Sequence, residues 1–294
     1  MVKVLITGGS GLIGKQLLFL LKQKGYEVCI LTRTPKSDSE YKWDINEQFI
    51  DENAFHKLDY IIHLAGAGIA DKRWTEKRKQ EIIDSRIKST ELLLQKVKQS
   101  KLPLKGFISA SAIGYYGAIT SKHIFKETDS PANDFIGKVC VLWEQAVLKF
   151  NSEHIRTVIF RTGIVLSKNG GVLAKMKTSV ISPIGSGKQY VPWIHIDDLC
   201  HMYIRAIEDI HMSGIFNAVA PEHQTSSSFS KILAQTGKRP FIAFGVPAIL
   251  LQLIFGKLAI LLLEGSRISS EKITLTGFRF KFPQLKDALK NLAK

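Results

Sequence analysis

Short apolar, β-branched runs alternate along this chain with longer stretches of helical periodicity. Lys3–Thr7 is the first run, and Leu12, Ile13, Leu17, Leu20 and Leu21 follow as a stripe on one helical face. Tyr26–Leu31, Tyr60–Leu64, Lys105–Ser109, Arg156–Phe160 and Ile215–Val219 read as further strands. Helical segments lie at Thr75–Gln99, Phe135–Phe150, Leu199–Ile210, Ser226–Gln235 and Leu285–Leu292. The first of these carries Ile82, Ile83, Ile87, Leu92, Leu93 and Val97 on its apolar face. Beyond Val165 the chain becomes loop-rich, with glycines at Gly170-Gly171 and Gly185-Ser186-Gly187. The most apolar stretch, Ala248–Leu263, contains Gln252, Gly256 and Lys257 and is shorter than the roughly 20 residues a bilayer needs. It predicts two buried or groove-lining helices, with a peripheral membrane contact as the minor alternative. There is no internal repeat or low-complexity tract.

The first strand breaks into Gly8-Gly9-Ser10-Gly11 and then into the helix that begins at Leu12. Strand, glycine turn and helix in that order form the context in which a glycine motif reads as a dinucleotide site. Glycine permits the sharp turn, the close approach of a pyrophosphate and the tight packing of helix on strand. The phosphates then meet free N–H groups at the positive end of the helix. Two parses fit: Gly9, Gly11 and Gly14 as G-x-G-x-x-G, or Gly8, Gly11 and Gly14 as G-x-x-G-x-x-G. An ordinary tight turn is the plain alternative.

The strand tips carry the remaining chemistry. In a familiar NAD site, an acid about 20 residues past the glycines holds the ribose 2′-hydroxyl. Here the second strand ends in Thr32-Arg33, and Glu27 stands at its wrong end. A guanidinium there suits a 2′-phosphate, which favours NADP(H) over NAD(H); a solvent-facing loop arginine is the alternative. Asp44, followed by Ile45, is placed to accept from an adenine amino group or to cap a following helix. The third tip, His63-Leu64-Ala65-Gly66, offers small residues where open α/β sheets bind ligands, with His63 read as a packed strand residue rather than a base. Ser85, Arg86 and Lys88 lie on the long helix within reach of a cofactor, or simply face water. At the fourth tip, Ser111 is placed to bond a substrate oxygen, and Tyr115 or Tyr116 to carry a proton. A polar turn with packed tyrosines accounts for the same residues. Asp197 and Asp198 read as a helix cap with favourable dipole charge, not as metal ligands.

The 294 residues suit about two domains or one large α/β domain, and the 45% apolar content is ample for a core. Met1–Thr7 runs straight into the glycine turn, so no segment reads as a signal peptide. Cys29, Cys140 and Cys200 lie far apart, which argues against disulfides and a zinc site and for a reducing, cytoplasmic setting. The net charge of +15 first suggests nucleic acid, but the lysines are dispersed among acids, as in Asp71–Glu81. A solvated basic surface that favours anionic small molecules explains the charge more simply.

Together these residues carry a resemblance. Gly8–Gly14, His63-Leu64-Ala65-Gly66, the Ser111 tip and Trp193–Asp198 resemble an extended short-chain dehydrogenase/reductase of the sugar-nucleotide epimerase/dehydratase type. Ala65–Trp74, Ser109–Gly117, Val139–Glu144 and Gly185–Asp198 are similar to an atypical "epimerase family protein" subgroup, also labelled nucleoside-diphosphate-sugar epimerase or cell-division-inhibitor-like. Asn217–Leu292 resembles that subgroup's C-terminal domain of unknown function. The resemblance implies a Rossmann-like, doubly wound parallel sheet with a smaller C-terminal α/β lobe. Residues 1–165 with 195–218 would form the NADP-binding part, and 166–194 with 219–294 the substrate-side lobe. It further implies that Gly8, Gly11 and Gly14 hold the pyrophosphate and Arg33 the 2′-phosphate, with Ser10, Leu12 and Ile13 also in the cofactor site. Asp44 and Ile45 would lie near adenine, while Ala65, Gly66 and Ser85 line the cofactor.

The wider family catalyses with Ser and a Y-x-x-x-K pair on one helix, where the ammonium lowers the phenol's pKa. Here those two slots fall at Ile136 and Cys140, and neither replaces the pair. The expected function is an NADP-dependent oxidoreductase or epimerase-like activity on a small carbonyl or sugar-nucleotide-type substrate. The alternative is a non-catalytic NADP(H) binder that reports redox state. The expected partners are a small-molecule substrate and, as an option, a second copy of the chain; neither specific nucleic-acid binding nor a membrane span is expected.

Overall fold

The computed structural model describes residues 1–176 and 178–293. The chain opens with β1 (Lys3–Thr7), every residue of it buried, and turns through the glycines into α1 (Leu12–Gln23). β2 (Glu27–Thr32), β3 (Glu40–Asp44) and the short β4 (Phe49–Ile50) follow. Next come β5 (Tyr60–His63), α2 (Glu76–Gln99), β6 (Gly106–Ala112), β7 (Ile124–Phe125), α3 (Phe135–Leu148) and β8 (Thr157–Thr162). β9 (Ile164–Ser167), α4 (Gly171–Lys175), β10 (Trp193–His195), α5 (Ile196–Glu208) and β11 (Gly214–Ala218) lead into the final third. That third holds α6 (Ser226–Thr236), α7 (Ala248–Phe255), α8 (Ile260–Leu263), β12 (Arg267–Ile268), α9 (Glu271–Leu275) and α10 (Leu285–Leu292).

Eight strands form one sheet in the order β11-β8-β6-β5-β1-β2-β3-β4. All neighbours run parallel except the β3–β4 edge pair. The strand order reverses direction on either side of β1, so this is the Rossmann-like, doubly wound sheet that the resemblance implies. Its crevice for ligands lies beyond the carboxyl ends of β1 and β5. Both faces are covered, which is why the strands read as continuous apolar runs.

Alternate residues of β1 feed opposite faces. Val4 and Ile6 join Leu17 and Leu21 of α1 and Leu199 and Tyr203 of α5. Leu5 joins Leu93 of α2, Val147 of α3, and Ile61, Phe107 and Ile159 of the neighbouring strands. A third cluster, with Leu166, Trp193, Phe229 and Leu285, packs α6 and α10 against β9 and β10.

Two small parallel ladders tie the later chain to the sheet. β9 pairs with β10, and β7 pairs with β12 through Ile124 opposite Arg267. Asp198 adds a third tie: its carboxylate accepts from Lys281 N at 2.7 Å and Phe282 N at 3.0 Å.

Three sequence expectations change here. The helix expected over Leu199–Ile210 begins at Ile196, and its cap is His195, whose Nδ1 accepts from Asp197 N at 3.0 Å. The two acids therefore sit in the first turn rather than capping it; Asp197 accepts from Gln16 and Asp198 clamps the tail. β6 runs three residues past Ser109, which places Ser111 inside a strand. Ala248–Leu263 does form two helices, but the outer face of α7 is open, with Ile249 72% and Leu253 71% exposed.

Cys29, Cys140 and Cys200 are all buried and free. Among the described residues, no helix is long and apolar enough to cross a membrane, and no group of three or more His, Cys, Asp or Glu is placed to hold a metal ion.

Candidate cofactor and substrate site

The turn after β1 is packed too closely for side chains. Gly8 takes φ +70°, and a Cβ there would stand 2.9 Å from the Leu64 carbonyl carbon. A Cβ on Gly14 would stand 2.6 Å from Gly9 Cα. Both backbones approach more closely than any side chain allows. Gly11 N donates to Gly8 O at 3.0 Å and closes the turn. Gly11 is also the N-cap of α1, without a side-chain cap and without an acid in the first turn. Among the described residues no side chain caps the first-turn amides around Leu12, Ile13 and Gly14, an arrangement suited to an anion, and Ser10 is exposed beside them. Steric need falls on Gly8, Gly9 and Gly14, a Cβ on Gly9 standing 2.7 Å from the Ile30 side chain, so both glycine parses remain compatible with the turn.

Register brings the other expected cofactor residues to the same edge. Thr7 lies opposite Leu31 in β2 and opposite His63 in β5. Thr7 Oγ1 accepts from Leu64 N at 3.2 Å and Ala65 N at 3.1 Å, which holds the loop with Ala65 and Gly66 against the glycine turn. Ser85 of α2 stiffens that loop from behind, accepting from Ala67 N at 3.0 Å. Arg33 follows β2, exposed and without an acid partner among the described residues. Asp44 ends β3, and its carboxylate accepts from Asn46 N at 2.9 Å and Glu47 N at 3.3 Å, an Asx turn rather than a helix cap. Ile45 packs on the second core cluster.

His63 is a packed residue. Its Nδ1 meets Thr7 Oγ1 at 2.7 Å, and its Nε2 meets Ser89 Oγ at 3.1 Å. Burial, with a smaller push from Arg86, lowers its pKa to about 3, so the ring stays neutral.

The expected catalytic residues converge on a buried pair that the sequence reading did not assign. Arg161 of β8 and Glu144 of α3 are 1% and 4% exposed. Arg161 Nε donates to Glu144 Oε1 at 2.9 Å and Nη2 to Oε2 at 2.8 Å, a bidentate pair. Burial pulls the guanidinium down, but Glu144 outweighs it and holds Arg161 above its ordinary value. Ser111 Oγ donates to Glu144 Oε1 at 2.7 Å. Tyr116 accepts from Arg161 Nη1 at 3.0 Å and donates to Asn217 Oδ1 at 2.7 Å. Burial pushes its phenol up to about 12. Ser111 and Tyr116 are thereby both engaged by protein partners.

Tyr115 is different. It is half-buried, its ring faces the Arg161 guanidinium, and its hydroxyl has no protein partner among the described residues. Its neighbour Gly114 rests against the dyad slots, with a Cβ there 3.6 Å from both Cys140 Sγ and Ile136 Cβ. The Cys140 thiol is pushed to about 12, first by burial and then by Glu144, and stays protonated. Arg86 borders the same region. Its Nη1 donates to Ala67 O at 3.0 Å and Ile82 O at 2.9 Å, and it covers the Trp143 ring at 4.9 Å. A Cβ on Gly66 would stand 3.2 Å from Arg86 Cζ. Among the described residues Arg86 has no acid partner. Glu144 was legible in principle: it lies four residues after Cys140 and eight after Ile136, on the face that carries both slots.

Beside Ile136 opens a cleft of about 610 Å³, walled by Trp74, Phe135, Ile136, Ala259, Ile260 and Leu263. Helices α7 and α8 are its groove-lining side.

Comparison with known proteins matches this architecture. The profile of the NAD dependent epimerase/dehydratase family covers residues 4–218, and a domain of unknown function, DUF1731, covers residues 246–292. The chain belongs to the NAD-dependent epimerase/dehydratase family. It is 33% identical over 302 residues to the human epimerase family protein SDR39U1, covering 99% of each chain. It is 35% identical over 294 residues to epimerase family protein SSP1921 of Staphylococcus saprophyticus, covering 98% of each. The crystal structure of human SDR39U1 (isoform 2) with NADPH superposes with a TM-score of 0.90 at 31% identity, covering 99% of each chain. A UDP-N-acetylglucosamine 4-epimerase from Bacillus cereus, at 17% identity and a TM-score of 0.81, shares the fold alone. The family binds nicotinamide cofactors, and the glycine cradle and uncapped α1 of this member fit one.

Proposed function

We propose that this protein binds NADP(H) in preference to NAD(H) and serves as an oxidoreductase or epimerase-like enzyme on a small carbonyl or carbinol compound. The carrying observation is Arg33, exposed just past the tip of β2, with no acid at that tip to hold a 2′-hydroxyl. Residues 1–165 with 195–218 form the cofactor half, and 166–194 with 219–294 the substrate-side half. Gly8, Ser10, Gly11, Leu12, Ile13 and Gly14 hold the pyrophosphate; Asp44 and Ile45 border the adenine; Ala65, Gly66 and Ser85 form the floor. When bound there, the nicotinamide supplies or accepts a hydride.

The chain's own task is to position an oxygen and move one proton. Ser111 and Tyr116 hold the Glu144–Arg161 pair in place, so the proton falls to the unpartnered hydroxyl of Tyr115. Arg86 supplies the positive charge that the dyad's ammonium would have given. Engagement of Ser111 and Tyr116, with Ile136 and Cys140 in the dyad slots, also favours a second reading: a redox-reporting binder without turnover.

Titration with NADPH and NADH, followed by label transfer from stereospecifically tritiated NADPH across a carbonyl panel, separates the outcomes. Tighter NADH binding overturns the cofactor assignment. Tight NADPH binding with no label transfer to any carbonyl supports the reporter instead.

A further inference from the structure

The cleft beside Ile136 is a poor match for a sugar nucleotide. Its polar lining is almost entirely spoken for. Trp74 Nε1 donates to Ile69 O at 2.9 Å. Lys79 Nζ donates to Glu76 Oε1 at 2.7 Å and lies 5.5 Å from the Phe135 ring centroid. Asp134 accepts from Gly137 N at 2.8 Å and Ala118 N at 2.9 Å. Glu264 accepts from the Thr120 hydroxyl. Among the described residues only the Gln252 amide and the Lys257 ammonium line the cleft without a protein hydrogen bond or ion pair. Lys257 also feels the field of Glu76, which is bonded to Lys79.

A sugar ring presents a hydroxyl at nearly every carbon, and each left unpaired in an apolar cleft loses its water without compensation. A diphosphate would bring its charge beside the Asp134 and Glu264 carboxylates with a single unpaired cation to meet it. An apolar body with one anionic group meets neither cost. The volume of about 610 Å³ suits a ligand of that kind.

We infer that the substrate class of this cleft is an aliphatic or aromatic carbonyl or hydroxy compound with one carboxylate, seated on Ile136, Ile260 and Leu263 and held at its anionic end by Lys257 and Gln252. Lys257 precedes Glu264 by about two turns of the segment that forms this wall, so the anion seats beside the lysine and away from the carboxylate. The inference rests on the reading of the neighbouring residues as a nicotinamide site, which Ile136 borders.

Isothermal titration of the full chain with dodecanoate, decanal and UDP-glucose, each with and without saturating NADPH, tests it. Dodecanoate binds with one-to-one stoichiometry, and UDP-glucose binds at least ~10-fold more weakly. Lys257→Met weakens dodecanoate by about 5- to 10-fold and leaves decanal within about two-fold, as expected for one partly exposed charge. Ile260→Glu removes dodecanoate binding, whereas Leu253→Asn, on the open outer face of α7, does not. UDP-glucose binding tighter than dodecanoate overturns the inference, as does a Lys257→Met protein with unchanged dodecanoate affinity. NADPH affinity, measured on each variant, reports whether it has folded. Loss of NADPH affinity in the parent protein would sink the cofactor reading while the dodecanoate and UDP-glucose results stand by themselves.

Discussion

The Arg161 guanidinium carbon lies 3.3 Å from the ring centroid of Tyr115, while the same guanidinium grips Glu144 through two nitrogens. One buried cation thus sets the place of a phenol whose hydroxyl has no partner among the described residues. Tyr115→Phe keeps the stacked ring and removes only the hydroxyl. Turnover should fall by about 10²- to 10⁴-fold with NADPH affinity unchanged. A Phe variant that reduces the best carbonyl of the panel at the parental rate removes Tyr115 from the chemistry.

The pair beneath that ring is tightly held and costly to break. Glu144→Gln leaves a buried guanidinium without its counter-charge and should lower unfolding free energy by about 3–5 kcal/mol. Glu144→Leu combined with Arg161→Met should recover much of the loss, because neither charge then remains buried alone. Urea denaturation at neutral pH measures both variants. An unaltered midpoint for Glu144→Gln contradicts the bidentate geometry.

Cofactor choice is expected to hinge on Arg33. Arg33→Ala should weaken NADPH about 10- to 100-fold, the worth of a charge-assisted phosphate contact, and leave NADH within two-fold. Fluorescence titration of both coenzymes reads the ratio, and an equal loss for the two would assign Arg33 to the fold instead.

His63 should make stability depend on pH in a definite direction. Its folded pKa, about 3, lies below the ordinary value of 6.5 for an unfolded histidine. Between these values the unfolded chain binds a proton that the folded one refuses. The contribution is therefore complete above pH 6.5 and declines as pH falls toward 3, by about 1.4 kcal/mol per unit. Stability curves of the parent and His63→Asn should converge as pH drops from 6.5 to 4.5. Parallel curves across that interval would show that His63 is protonated in the folded state.

The fold was readable because the period of the pattern and its chemistry agreed. Lys3–Thr7 is buried on both faces and reads as an unbroken run, and the glycines after it stand where side chains would collide. The candidate site was less readable because its decisive charges are hidden. Glu144 looks like an ordinary polar position of an amphipathic helix until Arg161, from a strand tip, is folded against it. Ser111 and Tyr116 were legible as hydroxyls at the right place, but sequence spacing does not disclose that Glu144 and Asn217 already hold them. Apolarity at Ala248–Leu263 announced the groove-lining helices, but not that α7 also leaves Ile249 and Leu253 in solvent.

The carboxylate of Asp198 that takes up the Lys281 and Phe282 amides has a consequence for how the molecule comes into being. Ile273 and Phe278 belong to the same apolar cluster as Val4 and Ile6. The nest around β1 is therefore finished by residues that are synthesised long after it. A nascent chain stalled before Ile273 would hold β1 only half wrapped.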